Sequence, residues 1–140
     1  MYAKSFMALD GKGRLTGART AQTAPCDHYT CHLCGSALQY HPEYQTARPW
    51  FEHQTAMLTD NGRRHCPYVR LKLKEIRYHR QLQCYLPDAR PLVYKSDWHC
   101  SGCDSVYHGE HYCLTCRSGE YSRESADAGN LPAEVTTCAC

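Results

Sequence analysis

The chain has 140 residues and is 42% hydrophobic by composition, a figure inflated by 11 Cys and 11 Tyr. Leu, Ile, Val and Phe together number only 19, so an aliphatic core alone cannot offset roughly 1–2 kcal/mol of ordering entropy per residue. The net charge of +2 conceals +6 over residues 1–90 against −4 over residues 91–140, which places any polyanion-binding surface in the first part.

Disulfides or metal must then supply what the core lacks. The first fourteen residues hold Lys4, Asp10, Lys12 and Arg14, with no apolar run of signal-peptide length. No stretch approaches the roughly 20 apolar residues of a membrane span. The expected setting is a reducing cytoplasm with no membrane partner, where clustered thiols bind metal. An odd Cys count argues against a closed disulfide framework. Zinc is the expected cofactor.

In chain order, residues 2–9 alternate and end in Asp10-Gly11-Lys12-Gly13 before Arg14-Leu15-Thr16-Gly17-Ala18, which predicts a β-hairpin. Residues 21–30 read as a polar loop, and 31–66 as loop-rich. Residues 67–86 lack Gly and internal Pro, and their Leu, Lys, Glu and Arg content predicts a helix. On that helix Val69, Leu73 and Ile76 form one apolar stripe and Leu71, Tyr78, Leu82 and Tyr85 another. Arg70, Lys74 and Arg77 share the face between them. Residues 87–91, with prolines at both ends, read as a linker that lets the two halves fold separately. Residues 119–140 have almost no apolar anchor and read as a flexible tail.

Two cysteine constellations carry the chemistry. The later one is Cys100-Ser-Gly-Cys103 and Cys113-Leu-Thr-Cys116, nine residues apart. Two facing knuckles of this kind give tetrahedral coordination by four sulfurs, the zinc-ribbon arrangement. Tyr107, Gly109 and Tyr112 fit the hairpin between them, and Trp98 fits a shield beside the first knuckle. His108-Gly-Glu110 followed by Cys113 and Cys116 echoes a zinc deaminase, but two residues between the halves are too few for that architecture. The earlier constellation is Cys31-His-Leu-Cys34-Gly35, Arg48-Pro49-Trp50-Phe51-Glu52-His53 and Cys66. Cys31 and Cys34 form a knuckle that needs two more ligands. His53 with Cys66 is the choice, with His28, His32, His65 and Cys26 as rivals.

The run Cys-x-x-Cys-Gly, Arg-Pro-aromatic-Phe-x-His and a later Cys resembles the N-terminal zinc-ribbon-like region of the competence protein CoiA family, over about residues 1–85. That resemblance implies Cys31, Cys34, His53 and Cys66 as ligands, after a hairpin and before a helix. It also implies a link to DNA. CoiA proteins continue into a nuclease domain, whereas here a second ribbon follows, similar to small uncharacterised bacterial zinc-ribbon proteins. Asp88, Lys95 and Asp97 are too few to rebuild a nuclease centre, so the family's activity does not carry over.

The expected architecture is a small α+β protein. A zinc-stabilised hairpin and helix module spans 1–86, a four-cysteine zinc ribbon spans 92–118, and a tail follows. Both sites are closed, with no open position for water or substrate, so no enzymatic activity is expected. DNA or RNA is the expected partner, through Arg63, Arg64, Arg70, Lys74 and Arg77. A zinc-stabilised adaptor that binds a protein partner is the alternative. Cys26, Cys84, Cys138 and Cys140 are left without a role.

Overall fold

The computed structural model describes residues 2–45 and 47–125. The predicted hairpin is present: β1 (Met7–Leu9) runs antiparallel to β2 (Leu15–Gly17), with Ala8 opposite Thr16. Asp10 closes its turn. One carboxylate oxygen accepts the amides of Lys12 and Arg14, each at 2.9 Å, and Gly13 takes a positive φ of 75° that costs glycine nothing.

The stretch expected to be loop is more ordered than its composition suggests. A short 3₁₀ turn at Thr20–Thr23 buries Ala21, and β3 (Tyr29–Thr30) buries Tyr29. β4 (Ala37–His41) and β5 (Trp50–His53) pair in register, Leu38 opposite His53 and Tyr40 opposite Phe51. Together they make a five-stranded antiparallel sheet in the order β2-β1-β3-β4-β5. The sheet curls so far that Ser5, just before β1, exchanges backbone hydrogen bonds with Phe51 on the opposite edge. Inside lie Ala8, Ala18, Ala21, Tyr29 and Phe51, with Tyr40 against them. The Tyr29, Tyr40 and Phe51 rings meet at centroid distances of 5.0–5.9 Å. Alternation written with Tyr, Gln and His makes strands through cross-strand pairing as well as Val and Ile do.

Helix α1 (Asp60–His65) is short and capped by Thr59, whose hydroxyl accepts the Gly62 amide at 3.0 Å. Helix α2 (Leu73–Tyr85) begins six residues later than expected. Residues 67–71 are drawn inward instead: Val69 and Arg70 donate to the Cys66 carbonyl, and Ala3 donates to that of Tyr68. Tyr68 is buried, with Val69 and Leu71 packed beside it. Glu75 fixes the helix start by accepting the Lys72 amide at 2.8 Å, a capping contact. Arg70 is therefore off the helix, and the predicted Arg70, Lys74, Arg77 face does not form. The predicted apolar stripes are not buried either. Leu73, Tyr78 and Tyr85 are exposed, and Glu75 is the only buried residue of α2.

The second sheet has the order β7-β6-β8. β6 (Lys95–Cys100) and β7 (Ser105–Glu110) form the expected ribbon hairpin, and Trp98 is buried on it. Residues 119–125 are not tail: β8 (Ser122–Glu124) pairs with β6, Trp98 opposite Glu124. Backbone pairing anchors this strand, and Glu124 accepts from Ser96 and Tyr94 at 2.6 Å each. Residues 126–140, with Cys138 and Cys140, lie outside the described residues.

The connection between the sheets is fastened at several points. Pro91 is fully buried, its carbonyl accepts the Lys4 amide, and Arg90 pairs with Glu52 at 2.9 Å. Across the junction Tyr68 donates to Glu110, Asn61 donates to the Arg117 carbonyl at 2.7 Å, and Tyr112 donates to Asn61 at 2.6 Å. Glu75 also accepts the Tyr94 amide. The two halves are packed against each other. No helix among the described residues is long and apolar enough to cross a membrane.

Candidate metal centres

Cys31 and Cys34 stand at the turn between β3 and β4, where Gly35 adopts a φ of +74° and its amide donates to the Cys31 carbonyl. β5 delivers His53, and the end of α1 delivers Cys66. All four side chains are buried, and their four ligand atoms lie within 4.8 Å of one another. His53 Nε2 is 3.7 Å from Cys34 Sγ and 3.6 Å from Cys66 Sγ, and the Cys31 and Cys66 sulfurs are 4.0 Å apart. A tetrahedron with zinc–sulfur bonds of about 2.3 Å has edges of roughly 3.8 Å, so the cage fits that ion. The His53 ring stacks on Tyr68 at 5.8 Å, which fixes its orientation.

The second tetrad is built from knuckles at the β6–β7 turn and at residues 113–116. Cys100, Cys103, Cys113 and Cys116 again lie within 4.8 Å. Cys100 and Cys116 approach to 3.6 Å, and Cys103 and Cys113 to 3.5 Å. The two knuckles thus interleave.

Electrostatics argue for a cation in each cage. Burial alone would raise the Cys113 thiol, but the Cys116 amide and contacts from Cys103, Ser105 and Cys100 hold it down at about 6. Its neighbour Cys116 is pushed up to about 12, first by Cys100 and then by burial. In the first cage Cys31 and then Cys66 pull Cys34 down, while Cys34 pushes Cys31 up to about 12. Sulfurs packed this closely cannot all be thiolates unless a cation neutralises them. Zinc does so with the donors present, three thiolates and an imidazole in one cage and four thiolates in the other. These are the chain's two zinc sites.

The rivals fall away. Cys26 is exposed, and His28 lies on the surface beside Asp27. His32 turns toward Glu110 at 3.7 Å. His65 is half-buried and lines a cleft with Arg64 and Arg70. Cys84 is exposed on α2.

Three supporting residues escaped the sequence reading. Ser36 Oγ lies 3.1 Å from Cys34 Sγ, and Ser105 Oγ 2.9 Å from Cys103 Sγ, each two residues past a knuckle Cys. Gly62 lets α1 approach the first cage: a Cβ there would meet Ser36 Oγ at 2.5 Å and Cys34 Sγ at 3.2 Å. The serine signal was present in the repeated Cys-x-Ser spacing, whereas the glycine's role needed the fold.

The basic candidates divide. Arg63 pairs with Asp60 at 3.6 Å. Arg64 and Arg70 line the cleft between α1 and the second sheet. Lys74 and Arg77 line a separate groove between α2 and residues 92–95, where the Lys74 ammonium sits 4.2 Å over the Tyr94 ring.

Two family models match the chain. Residues 93–137 match the family model described as "Probable zinc-ribbon", and residues 2–88 match a "Domain of unknown function (DUF7828)". Neither model is that of the CoiA family, so that resemblance gains no support, although the ligand set it implied is the one brought together here. No curated protein and no solved structure matches the chain. With its model covering more than half of the residues, the chain belongs to the DUF7828 family.

Proposed function

We propose that the protein is a non-enzymatic, zinc-stabilised nucleic-acid-binding module of the cytoplasm. The observation that carries this reading is that four of the basic candidates fall in two recesses that share one lining residue. Glu75 lines both the cleft that holds Arg64 and Arg70 and the groove that holds Lys74 and Arg77, so the two recesses adjoin at the start of α2. Cations gathered in this way favour a polyanion over a scattered charge. The closed cages are consistent with a structural role for both metals. Binding should be weak, largely independent of sequence and steeply dependent on salt, because each neutralised phosphate releases close to one counterion. A gel-shift series on the zinc-loaded chain from about 50 to about 200 mM salt tests it. No shift of single- or double-stranded DNA or RNA at the low end overturns the reading.

The adaptor reading rests on a different feature. Tyr78, Leu92, Val93 and Tyr94 line a groove of about 680 Å³ rimmed by Lys74, Arg77 and Lys95, which suits an acidic segment carrying apolar side chains. A partner of that chemistry, bound while nucleic acid is not, would make it the better account.

A further inference from the structure

The cleft between the two zinc modules is lined by six charged side chains. It encloses about 330 Å³ and is lined by Arg64, Arg70 and Lys72 from the first half and Arg123 from the second, with His65 and His111 beside them. Two carboxylates also line it, those of Glu75 and Glu120. Glu75 is already engaged, one oxygen accepting the Lys72 amide and the other the Tyr94 amide. Glu120 is exposed, as are Arg64, Arg70, Lys72 and Arg123, so the four cations outnumber the two carboxylates in the cleft.

The side chains of Arg64, Arg70 and Arg123 have no hydrogen-bonded or ion-paired partner among the described residues, unlike those of Arg14 on Asp10, Arg63 on Asp60 and Arg90 on Glu52. Lys72 is held in place, its ammonium 4.6 Å over the Trp98 ring. Arg123 is anchored by its backbone, since β8 pairs with β6 opposite His99. Like charges gathered in a concavity repel one another until an anion enters. Guanidinium forks suit the oxygens of a phosphate.

We infer that this cleft seats a backbone phosphate of nucleic acid, gripped from both modules by Arg64, Arg70, Lys72 and Arg123. The inference rests on the nucleic-acid reading and adds two things to it. The grip is shared between the halves, and the acidic ribbon contributes an essential cation to it. The ribbon was expected to take no part, given the charge of −4 over residues 91–140. Placement by β8 overrides the net charge, since binding responds to local potential. The Lys74 and Arg77 groove shares Glu75 with the cleft, which favours a strand over a small free anion.

The test uses the full zinc-loaded chain, labelled DNA oligonucleotides and inorganic pyrophosphate. R70A/R123A should weaken oligonucleotide binding about tenfold or more at low salt and flatten the salt slope by about two. K12A/R19A removes the same charge from the exposed hairpin side and should change affinity by less than about threefold. Pyrophosphate should shift the amide resonances of Gly119, Ser122 and Arg123 and leave those of Lys12 and Gly13 in place, a readout that needs no variant to fold. Oligonucleotide binding that survives R70A/R123A, or falls equally in K12A/R19A, overturns the cleft and leaves the nucleic-acid reading standing. Unmoved cleft amides overturn the cleft as well. A wild-type chain that binds no oligonucleotide overturns the broader reading, and nucleic acid as the occupant with it, even where pyrophosphate moves the cleft.

Discussion

His53 shows what a single residue contributes and how far spacing identifies it. A histidine has many ordinary uses, and six of the nine in this chain pair with a carboxylate or a carbonyl. Its position at the end of β5, opposite Leu38, is what turns Nε2 onto two sulfurs. His53→Ala should leave one zinc per chain and His53→Cys should keep two, by metal analysis of purified protein. Cys113→Ser should also leave one, while Cys26→Ser, altering an exposed thiol, should leave two. A subtler change probes the approach of α1. Gly62→Ala should keep the fold yet loosen the first zinc, because Ser36 and Cys34 must move away from the new methyl group. A strain of about 1–3 kcal/mol corresponds to roughly a 5- to 150-fold loss in competition with a chelator. Cysteines were legible at this scale because Cys-x-x-Cys has few other uses in a reduced chain. His53 was one choice among rivals, and Gly62 was invisible without its neighbours.

At the scale of elements, legibility followed the residue types that carry the signal. The hairpin turn, the body of α2 and the ribbon are specified by residues close in sequence, and each appears. β3, β4 and β5 pair with neighbours as near in sequence as those of the hairpin and the ribbon, but their strand signal is carried by Tyr, Gln, Trp and His, which read as loop. The helix start was misplaced because Tyr68, Val69 and Leu71 serve the first metal core and not a helix face. The supposed linker failed as a linker because Pro91 and Arg90 bind back to the first sheet. Glu110 is central to the resulting junction. It accepts from Tyr68, with His32 and Lys95 each at 3.7 Å. Burial would raise its carboxyl, yet His32 and then Tyr68 hold it down at about 2 against a usual 4.5. Its contribution is therefore complete above about pH 4.5 and is lost only as pH falls toward 2. Glu110→Gln should lower the stability of the zinc-loaded protein by about 1–3 kcal/mol in denaturant melts. The Glu110 carboxylate itself stays ionised between about pH 8 and about pH 5, so its own titration adds no pH dependence to the deficit there.

For the whole molecule, the decisive fact is what occupies its interior. Among the described residues the buried hydrophobic set contains Cys31, Cys34, Cys66, Cys100 and Cys113, four alanines, six aromatic residues and a single larger aliphatic, Leu58. The first metal cage sits within a cluster made of Ala3, Tyr68 and its own cysteines, so the ion occupies the place of a hydrophobic core. Stripping it would leave three buried thiols and an imidazole with nothing to balance them. Structural zinc binding contributes on the order of 10–16 kcal/mol in small domains, against a net stability of about 5–15 kcal/mol for a folded domain. The apo chain should therefore lie on the unfolded side. The junction through Asn61, Tyr68, Lys72 and Glu75 couples the halves, so a chain stripped of both ions should lose the two together. Titrating a chelator into the protein should collapse the near-UV circular dichroism of Trp50 and Trp98 together, although the two indoles belong to different sheets. Trp98 reports the ribbon, through its hydrogen bond to the Gly109 carbonyl at 2.9 Å. Trp50 reports the first sheet, stacked on His41 at 4.2 Å and approached by Lys4 and Arg90. Adding zinc back under reducing conditions should restore both signals. Signals lost in two separate steps would show that the halves fold independently, and signals unchanged after verified metal removal would show that the small core suffices.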